Sequence, residues 1–371
     1  MRAFTYDALP GRVVFGVHAF GRTVDELERI GAQRVLLIAD RSGRASADEL
    51  RSKMADRLVG FIDDVLPHVP VERAEEARRQ AREADVDVVV TLGGGSATGL
   101  GKAIALELPV RLLAIPTTYA GSEMTPIWGV TSGSRKETGR AARTQPAVVI
   151  YDPVLTLSLP PSIAGPSGMN ALAHCAEALY ADGACPISSL MAEEGARILA
   201  RSLPRVVVAP HDLEARSDVL AGAYLAAASF AVAGTGIHHK ICHVLGGAYD
   251  LPHAEMHTVV LAHALAFNAP AVPHALARLA GALGDPDVPG AVYELAHAIG
   301  APTSLAAIGM AYEDLDEAAD LIVAAAPTNP RPVTRPAIRA LLQDAFDGNR
   351  PVAISNAEAG VADGHVSRLA R

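Results

Sequence analysis

One stretch of this chain reads Gly236-Ile-His-His-Lys-Ile-Cys-His-Val-Leu-Gly-Gly-Ala-Tyr-Asp-Leu-Pro-His253. His239 and His243 are four residues apart, so on a helix they project from one face. Gly246 and Gly247 can end that helix, and the loop after them can return His253 to the same space. The spacing therefore predicts three imidazoles gathered in one place.

A second pair of polar side chains has the same spacing. The segment Gly168-Met-Asn-Ala-Leu-Ala-His174 places Asn170 and His174 four residues apart on another helix. A single histidine is usually a satisfied core or surface residue, which is our interpretation of His18 and His297. Four histidines at ligand spacing on two segments indicate a site instead.

Length and composition limit the classes of protein that this chain can represent. With 371 residues it is long enough for two domains, and its net charge of −9 argues against a nucleic-acid surface. Cys175, Cys185 and Cys242 form no CxxC pair and no disulfide framework, which favours a reducing cytosol. The sequence after Met1 lacks the pattern of a signal peptide, so we expect a cytoplasmic protein.

The first half of the chain alternates short apolar runs with charged helical segments. Strands are predicted at 34–39, 86–92 and 110–115, and helices at 72–84 and 97–106. This order predicts a mostly parallel sheet covered by helices. After Tyr151-Asp-Pro153 the sequence becomes rich in Ala and Leu at helical spacing. We predict an α/β domain over residues 1–158, an all-helical domain over residues 159–350 and a loosely attached tail over residues 351–371.

The uncharged stretch from Val219 to Ile237 is long enough to span a bilayer. It consists mostly of Ala and Gly, it contains Ser229 and Thr235, and it runs directly into His238-His-Lys240. We therefore interpret it as a helix buried in the helical domain, and we expect no membrane partner.

The ends of the predicted strands carry residues suited to a nucleotide. The glycine-rich loop after the second strand consists of Gly93, Gly94, Gly95 and Ser96. It lets a pyrophosphate approach the backbone and the following helix N-terminus, although it is not a GxGxxG fingerprint. Asp40, after the first strand, either accepts hydrogen bonds from a ribose or simply opens a turn. The loop after the third strand supplies Thr117, Thr118 and Ser122.

With these motifs the chain resembles the iron-containing (group III) alcohol dehydrogenases, and within them the branch of maleylacetate reductases. The similarity extends over about residues 4–350. Its motifs are Pro116-Thr-Thr-Tyr-Ala-Gly-Ser-Glu123, Val149-Ile-Tyr-Asp-Pro153, His238-His-Lys-Ile-Cys-His-Val-Leu-Gly-Gly247 and Asn329-Pro-Arg-Pro332. The resemblance implies a Rossmann-like α/β domain followed by an all-α domain, an architecture shared with dehydroquinate synthase.

The resemblance also implies a site with one departure from the family. In metal-dependent relatives one aspartate and three histidines hold Fe²⁺ or Zn²⁺, and these positions fall on Asn170, His174, His239 and His253. Asn170 offers a neutral amide oxygen, so the site loses its anionic ligand. We therefore expect that metal is not required, and that Asn170 and His174 contact the substrate instead.

The implied activity is NAD(P)H-dependent reduction of the C=C bond of 2-maleylacetate to 3-oxoadipate, in the degradation of aromatic compounds. His243 is expected to donate the proton or stabilise the enolate, while His239 and His253 orient the substrate. The substrate is a small dicarboxylate, and candidates for binding its carboxylates are Lys240, His238, Tyr119 and Arg331. NADH is the expected cofactor, with NADPH as the alternative, and the family suggests a homodimer.

Three other functions stay open from the sequence. A metal-dependent alcohol dehydrogenase or carbonyl reductase of the same family would reduce a carbonyl group. A lyase of the dehydroquinate-synthase type would use NAD⁺ only transiently. A nucleotide-binding protein without catalysis would have no use for the histidines.

Overall fold

The computed structural model describes residues 4, 6, 9, 11–54, 56–133, 135–325 and 327–352. Of the tail predicted over 351–371, everything from residue 353 onward lies outside the described residues. The described chain forms an α/β half followed by a helical half.

A parallel sheet of six strands forms the α/β half. The strands are β1 (Arg12–Phe15), β2 (Val35–Ala39), β3 (Leu58–Ile62), β4 (Val88–Gly93), β5 (Arg111–Pro116) and, after a hairpin, β8 (Val148–Tyr151). Their order across the sheet is β1-β8-β5-β4-β2-β3, and every pairing is parallel. The central strands read as apolar runs because both of their faces are buried. The predicted parallel sheet is confirmed.

Four helices accompany this sheet. They are α1 (Thr23–Arg29), α2 (Arg44–Lys53), α3 (Val71–Glu83) and α4 (Gly95–Glu107). The helices predicted at 72–84 and 97–106 are α3 and α4. The second begins earlier than predicted, because Gly94 is its N-cap and Gly95 its first helical residue.

An antiparallel hairpin that the sequence analysis did not predict lies between β5 and β8. Its strands are β6 (Ile127–Ser132) and β7 (Arg135–Arg140). Lys102 of α4 is fully buried and ties the hairpin to its helix: its Nζ lies 2.7 Å from the carbonyl oxygens of both Thr125 and Ile127. On the other side, Arg140 donates a 2.7 Å hydrogen bond to the carbonyl of Ala231 in the helical half.

Beyond β8 the regular elements of the described residues are helices. The α-helices are α5 (Pro161–Ala178), α6 (Pro186–Val208), α7 (Leu213–Ala233), α8 (Ile237–Tyr249), α9 (His253–Asn268), α10 (Pro273–Leu283), α11 (Val288–Ala298), α12 (Leu315–Ala324) and α13 (Arg335–Asp347). Small buried residues let α5, α6 and α7 pack closely, and α8, α9, α12 and α13 share a second apolar core. The predicted domain boundary at residue 158 falls in the segment between β8 and α5 and stays a prediction.

Helix α7 contains most of the stretch that had the length of a membrane span. Its apolar residues pack into the helical core, as the sequence analysis predicted. Among the described residues no single helix is long and apolar enough to cross a bilayer. Only α7 and α8 taken together reach the required length, and they are bent by 97°.

Helix α8 does not end at its glycines, contrary to the prediction. It continues through Gly246 and Gly247 to Tyr249, and Asp250 follows in the left-handed conformation with φ 52°. Asp tolerates this conformation because its short side chain can bond locally, so it ends the helix in place of a glycine. The loop then leads within a few residues to His253, the first residue of α9.

Candidate active site

Three helices of the helical half bring six histidines together. The rings belong to α5, α8 and α9, and their neighbouring centroids are 4.4 to 6.3 Å apart. We call this group the histidine cluster, and its members are His174, His238, His239, His243, His253 and His257. The sequence analysis had singled out every member except His257.

A buried carboxylate holds the central imidazole, His239. Its Nδ1 lies 2.6 Å from Glu177 Oε2, and the two side chains are 5% and 0% exposed. Burial lowers the pKa of His239 well below its ordinary value, and His243 and His253 lower it further, so the ring is neutral at pH 7. We assign the proton to Nδ1, which donates to Glu177 and leaves a lone pair on Nε2.

Glu177 itself escaped the sequence analysis. Its second carboxylate oxygen accepts a 2.7 Å hydrogen bond from the backbone N–H of His238, so both oxygens are directed at α8. Burial raises the pKa of the Glu177 carboxyl, and the hydrogen bonds and the nearby imidazole of His238 oppose that rise. The sequence did contain an indication of its role. Glu177 lies one helical turn after His174 in an otherwise apolar segment, and a charged residue is rarely buried in such a segment unless it has a partner.

His174 packs flat against His239. Their ring centroids are 5.0 Å apart with the planes inclined by 15°, and Phe230 lies against both rings. Neither Nδ1 of His174 nor Oδ1 of Asn170 has a hydrogen-bond partner among the described residues. Burial lowers the pKa of His174 well below its ordinary value, so its imidazole is neutral. Both atoms are therefore available to a ligand.

His257 is the member of the cluster that sequence reasoning missed. It is 1% exposed, and its ring lies 5.0 Å from that of His239 and 4.4 Å from that of His253. Neither ring nitrogen has a hydrogen-bond partner within the described residues. The signal was present, because His253 and His257 are four residues apart, as His239 and His243 are.

His238 does not serve as a substrate contact, contrary to our expectation. It is fully buried, and its Nε2 lies 3.1 Å from the carbonyl oxygen of His257. Its other ring nitrogen lies 3.4 Å from Nδ1 of His239. Packing between α8 and α9 therefore occupies this side chain.

Tyr119 is also misassigned as a carboxylate-binding residue, whereas the assignment of the half-buried Arg331 stays a prediction. Tyr119 is fully buried in the helical core, where its hydroxyl lies 3.3 Å from a guanidinium nitrogen of Arg216. Arg331 stacks on the ring of Phe267 and donates a 2.6 Å hydrogen bond to the carbonyl of that residue. The side chain of Tyr119 is therefore occupied in holding structure. Lys240 is half-buried on α8 and remains a candidate.

The exposed side of the histidine cluster faces a cavity of about 350 Å³. His243 and His253 are exposed and line it from the helical half. His68 and Thr131 line it from the α/β half, so the cavity lies between the two halves of the chain. Its size is that of a site for a small molecule.

The predicted nucleotide-binding residues meet at the carboxyl ends of β2, β4 and β5. Gly93 pairs with Pro116 across the sheet, which brings the glycine loop beside Thr117 and Thr118. One carboxylate oxygen of Asp40 accepts from the backbone N–H of Gly94 at 3.1 Å, and the other accepts from Gly43 at 3.0 Å. Asp40 therefore shapes the turn and positions the glycine loop. The roles of these residues, and of Gly95, Ser96 and Ser122, in binding a cofactor stay predictions.

The predicted cofactor loop touches the histidine cluster directly. Gly121 has φ 80°, and a Cβ at this position would lie 3.1 Å from Cε1 of His174 and 2.9 Å from the Cβ of Ala227. Only glycine fits this conformation and this gap without strain. The loop that follows β5 is thus held against the imidazoles.

The donors in the cluster suit a divalent metal ion. Buried atoms without a partner include Asn170 Oδ1, His174 Nδ1, His239 Nε2 and both ring nitrogens of His257. An unsatisfied buried polar atom costs about 1–3 kcal/mol, and a cation bound among these atoms would remove that cost. Neutral imidazoles are ligands that Zn²⁺ and Fe²⁺ prefer, and burial keeps these imidazoles neutral.

Comparison with known proteins agrees with this geometry. The profile described as "Iron-containing alcohol dehydrogenase" matches residues 10–153, and that described as "Fe-containing alcohol dehydrogenase family, C-terminal" matches residues 165–346. A maleylacetate reductase of Burkholderia cepacia is 49% identical over 351 residues, covering 95% of this chain and all of that protein.

Two solved structures extend the comparison to the fold. Maleylacetate reductase from Rhizobium sp. strain MTP-10005 superposes with a TM-score of 0.91 at 46% identity, covering 95% of this chain and all of the other. Iron-containing alcohol dehydrogenase from Corynebacterium glutamicum gives a TM-score of 0.91 at 43% identity, covering 96% of this chain and all of the other.

The expectation that metal is not required is wrong. Both matching profiles describe iron-containing enzymes, and so does the name of the solved relative from Corynebacterium glutamicum. Asn170 lacks the carboxylate of the family's aspartate, but the fold buries several unpaired imidazole nitrogens near it, which the sequence does not reveal. With relatives of high identity along nearly its whole length, the chain belongs to the iron-containing alcohol dehydrogenase family.

Proposed function

We propose that this chain catalyses the reduction of maleylacetate to 3-oxoadipate with a reduced nicotinamide cofactor. Relatives at 45–49% identity over at least 94% of the chain are maleylacetate reductases. The observation that carries the proposal in the structure is the pair of exposed imidazoles, His243 and His253. Both face a cavity that the α/β half closes on its other side.

The reaction transfers one hydride and one proton. The hydride leaves the nicotinamide and adds to the alkene carbon that is β to the ketone, so the π electrons move onto the ketone oxygen as an enolate. The enolate then collapses, and its α carbon takes a proton, which leaves a saturated ketone and the oxidised nicotinamide. The site must therefore supply stabilisation for an oxyanion and a proton at carbon.

Different residues of the site would supply the proton and the stabilisation of the oxyanion. His243 projects into the cavity from α8, where it can deliver the proton, and His253 orients the substrate from the first turn of α9. The ring of His239 is fixed from behind by Glu177. A divalent cation held by His174, His239 and His253 would supply a Lewis acid for the developing negative charge on the substrate oxygen.

We propose NADH as the preferred cofactor, with NADPH as the alternative. Asp40 carries a negative charge at the end of β2, which suits ribose hydroxyls and repels a 2′-phosphate. The N-terminus of α4, beginning at Gly95, faces the same edge of the sheet and offers N–H groups to the pyrophosphate.

The test is turnover of maleylacetate followed by the absorbance of NADH, with the product identified by mass spectrometry. We expect one NADH oxidised for each 3-oxoadipate formed. Reduction of the ketone instead would give an unsaturated hydroxy acid, the product expected of the metal-dependent carbonyl reductase of the same family. Transient use of NAD⁺ without net oxidation of NADH would indicate the lyase.

Assembly and location are further parts of the proposal. We propose a homodimer, on the ground of family resemblance, and light scattering of the purified protein tests it. We propose a cytoplasmic location because Cys175, Cys185 and Cys242 are all unpaired thiols, which is typical of a reducing compartment.

A further inference from the structure

His257 is a buried side chain whose hydrogen-bonding capacity the described protein leaves unused. It is 1% exposed, and neither Nδ1 nor Nε2 has a hydrogen-bond partner. Each unsatisfied buried atom costs about 1–3 kcal/mol, so an imidazole with two of them is unfavourable unless something else occupies the space beside it.

Two neighbouring histidines also have an unpaired ring nitrogen. His257 and His239 are two of three residues whose donor atoms lie within 4.8 Å of one another, close enough to share one ion. His239 directs Nδ1 to Glu177, so Nε2 is its unpaired nitrogen. The ring of His174 stacks on that of His239, and its Nδ1 is unpaired too.

His238 completes that group of three but is a poorer ligand. Its Nε2 already lies 3.1 Å from the carbonyl oxygen of His257, and its Nδ1 lies 3.4 Å from that of His239. Binding a metal would break contacts that join α8 to α9. For His257 no such contact has to be broken.

His253 and His257 form a second arrangement typical of metal sites. They are four residues apart at the start of α9, and their ring centroids are 4.4 Å apart. Two histidines at this spacing on one helix face converge on a common ion in zinc enzymes. The second imidazole here lies deeper in the fold than the first, because His257 is buried and His253 is exposed.

We propose that His257 is a ligand of the metal ion in this chain. With His174, His239 and His253 it makes a set of four imidazoles, so a neutral nitrogen takes the place left by the carboxylate that Asn170 lacks. Such a set favours ions that prefer imidazole, Zn²⁺ and Fe²⁺ among them, over ions that prefer oxygen. The inference rests on the metal that family membership implies and not on the identity of the substrate.

The test uses Co²⁺ as the probe, added to metal-free protein without substrate or cofactor. We expect His257→Ala and His257→Gln to weaken Co²⁺ binding by about tenfold or more, since removal of even an outer partner of a metal ligand costs 10–100-fold. The d–d absorption of bound Co²⁺ should change with its ligand set. His263→Ala is the matched control, because His263 lies on α9, is 3% exposed and has an unpaired Nε2 outside the cluster.

A second measurement needs no variant. X-ray absorption of the Zn²⁺-loaded natural protein counts the imidazoles on the ion, and we expect four rather than three. The proposal would be overturned if a folded His257→Gln variant bound Co²⁺ with the affinity and the d–d spectrum of the natural protein. A count of three imidazoles on the ion in the natural protein would also overturn it. Neither result touches the assignment of maleylacetate as substrate, because turnover is measured separately.

Discussion

Nδ1 of His239 lies 2.6 Å from Oε2 of Glu177, and both side chains are almost completely shielded from solvent. A carboxylate behind an imidazole fixes which ring nitrogen carries the proton and raises the basicity of the other one. Through His239, Glu177 would thereby act on a bound metal ion. A variant that keeps the volume of Glu177 but removes its charge can therefore distinguish this effect on metal affinity from simple packing.

Replacing Glu177 with glutamine tests this relationship. We expect Glu177→Gln to keep the fold and to weaken Zn²⁺ binding by about 10–100-fold, since the charge behind the ligand is lost while its volume is kept. Competition with a chromophoric chelator measures the change. Glu193→Gln, which breaks an exposed ion pair with Arg278, is the control and should leave the affinity unchanged. Equal affinity in both variants would mean that Glu177 serves only packing.

Removing the metal should remove the activity. We expect dialysis against a chelator to abolish NADH oxidation with maleylacetate, and Fe²⁺ or Zn²⁺ to restore it. The thermal midpoint of the metal-free protein should also be lower, because the ion binds only the native arrangement of His174 and His239. Full activity in a preparation shown to be metal-free would contradict this.

His243 is expected to contribute to chemistry rather than to architecture. It is exposed to the cavity, so His243→Ala should leave the thermal midpoint and the affinity for NADH nearly unchanged. Loss of general acid catalysis should lower kcat by about 10²–10⁴-fold. A folded variant with near-normal turnover would transfer the role of proton donor to Lys240.

Asp40 should govern the choice between the two cofactors. Asp40→Asn removes the charge and keeps an acceptor for only one of the two backbone N–H groups, that of Gly43 or that of Gly94. It should therefore narrow the ratio of kcat/KM for NADH over NADPH. Asp40→Ser should narrow this ratio further. Its shorter side chain no longer reaches both N–H groups, so we expect a loss of about 1 kcal/mol in stability. An unchanged ratio in both variants would leave Asp40 with its structural role alone.

Tyr119 should matter for stability and little for catalysis. Tyr119→Phe removes the hydroxyl that contacts Arg216, whose guanidinium is completely buried. A hydrogen bond to a buried charged group is worth about 1.5–3 kcal/mol, and urea denaturation should show a loss of that size. Turnover of the native fraction should stay at the level of the unmodified protein. Lost turnover with unchanged stability would return Tyr119 to the substrate site.

Elements whose local sequence pattern agrees with their place in the fold were predictable from the sequence. Strands such as 35–39 and 88–93 were predictable because a strand buried on both faces must be apolar throughout. His239 and His243 were predictable as neighbours because helical spacing alone places them on one face.

The failures have a common physical cause. β7, Arg135–Arg140, carries the polar sequence Arg-Lys-Glu-Thr-Gly-Arg and has no apolar alternation to reveal a strand. Glu177 and His257 acquire their importance from being buried beside other helices, a property that no single segment encodes. Tyr119 was misassigned because the sequence of a loop does not determine whether a tyrosine ring points into the core or into the site.

Lys102 links two surfaces that otherwise belong to different ligands. It lies on the helix whose N-terminus is the expected phosphate site. Its Nζ donates hydrogen bonds to carbonyls at the start of the hairpin that supplies Thr131 to the cavity wall. A displacement of that helix on binding a cofactor would therefore also move the hairpin that lines the cavity. We expect an ordered kinetic sequence, cofactor first, with slower hydrogen exchange of the hairpin amides as its signature.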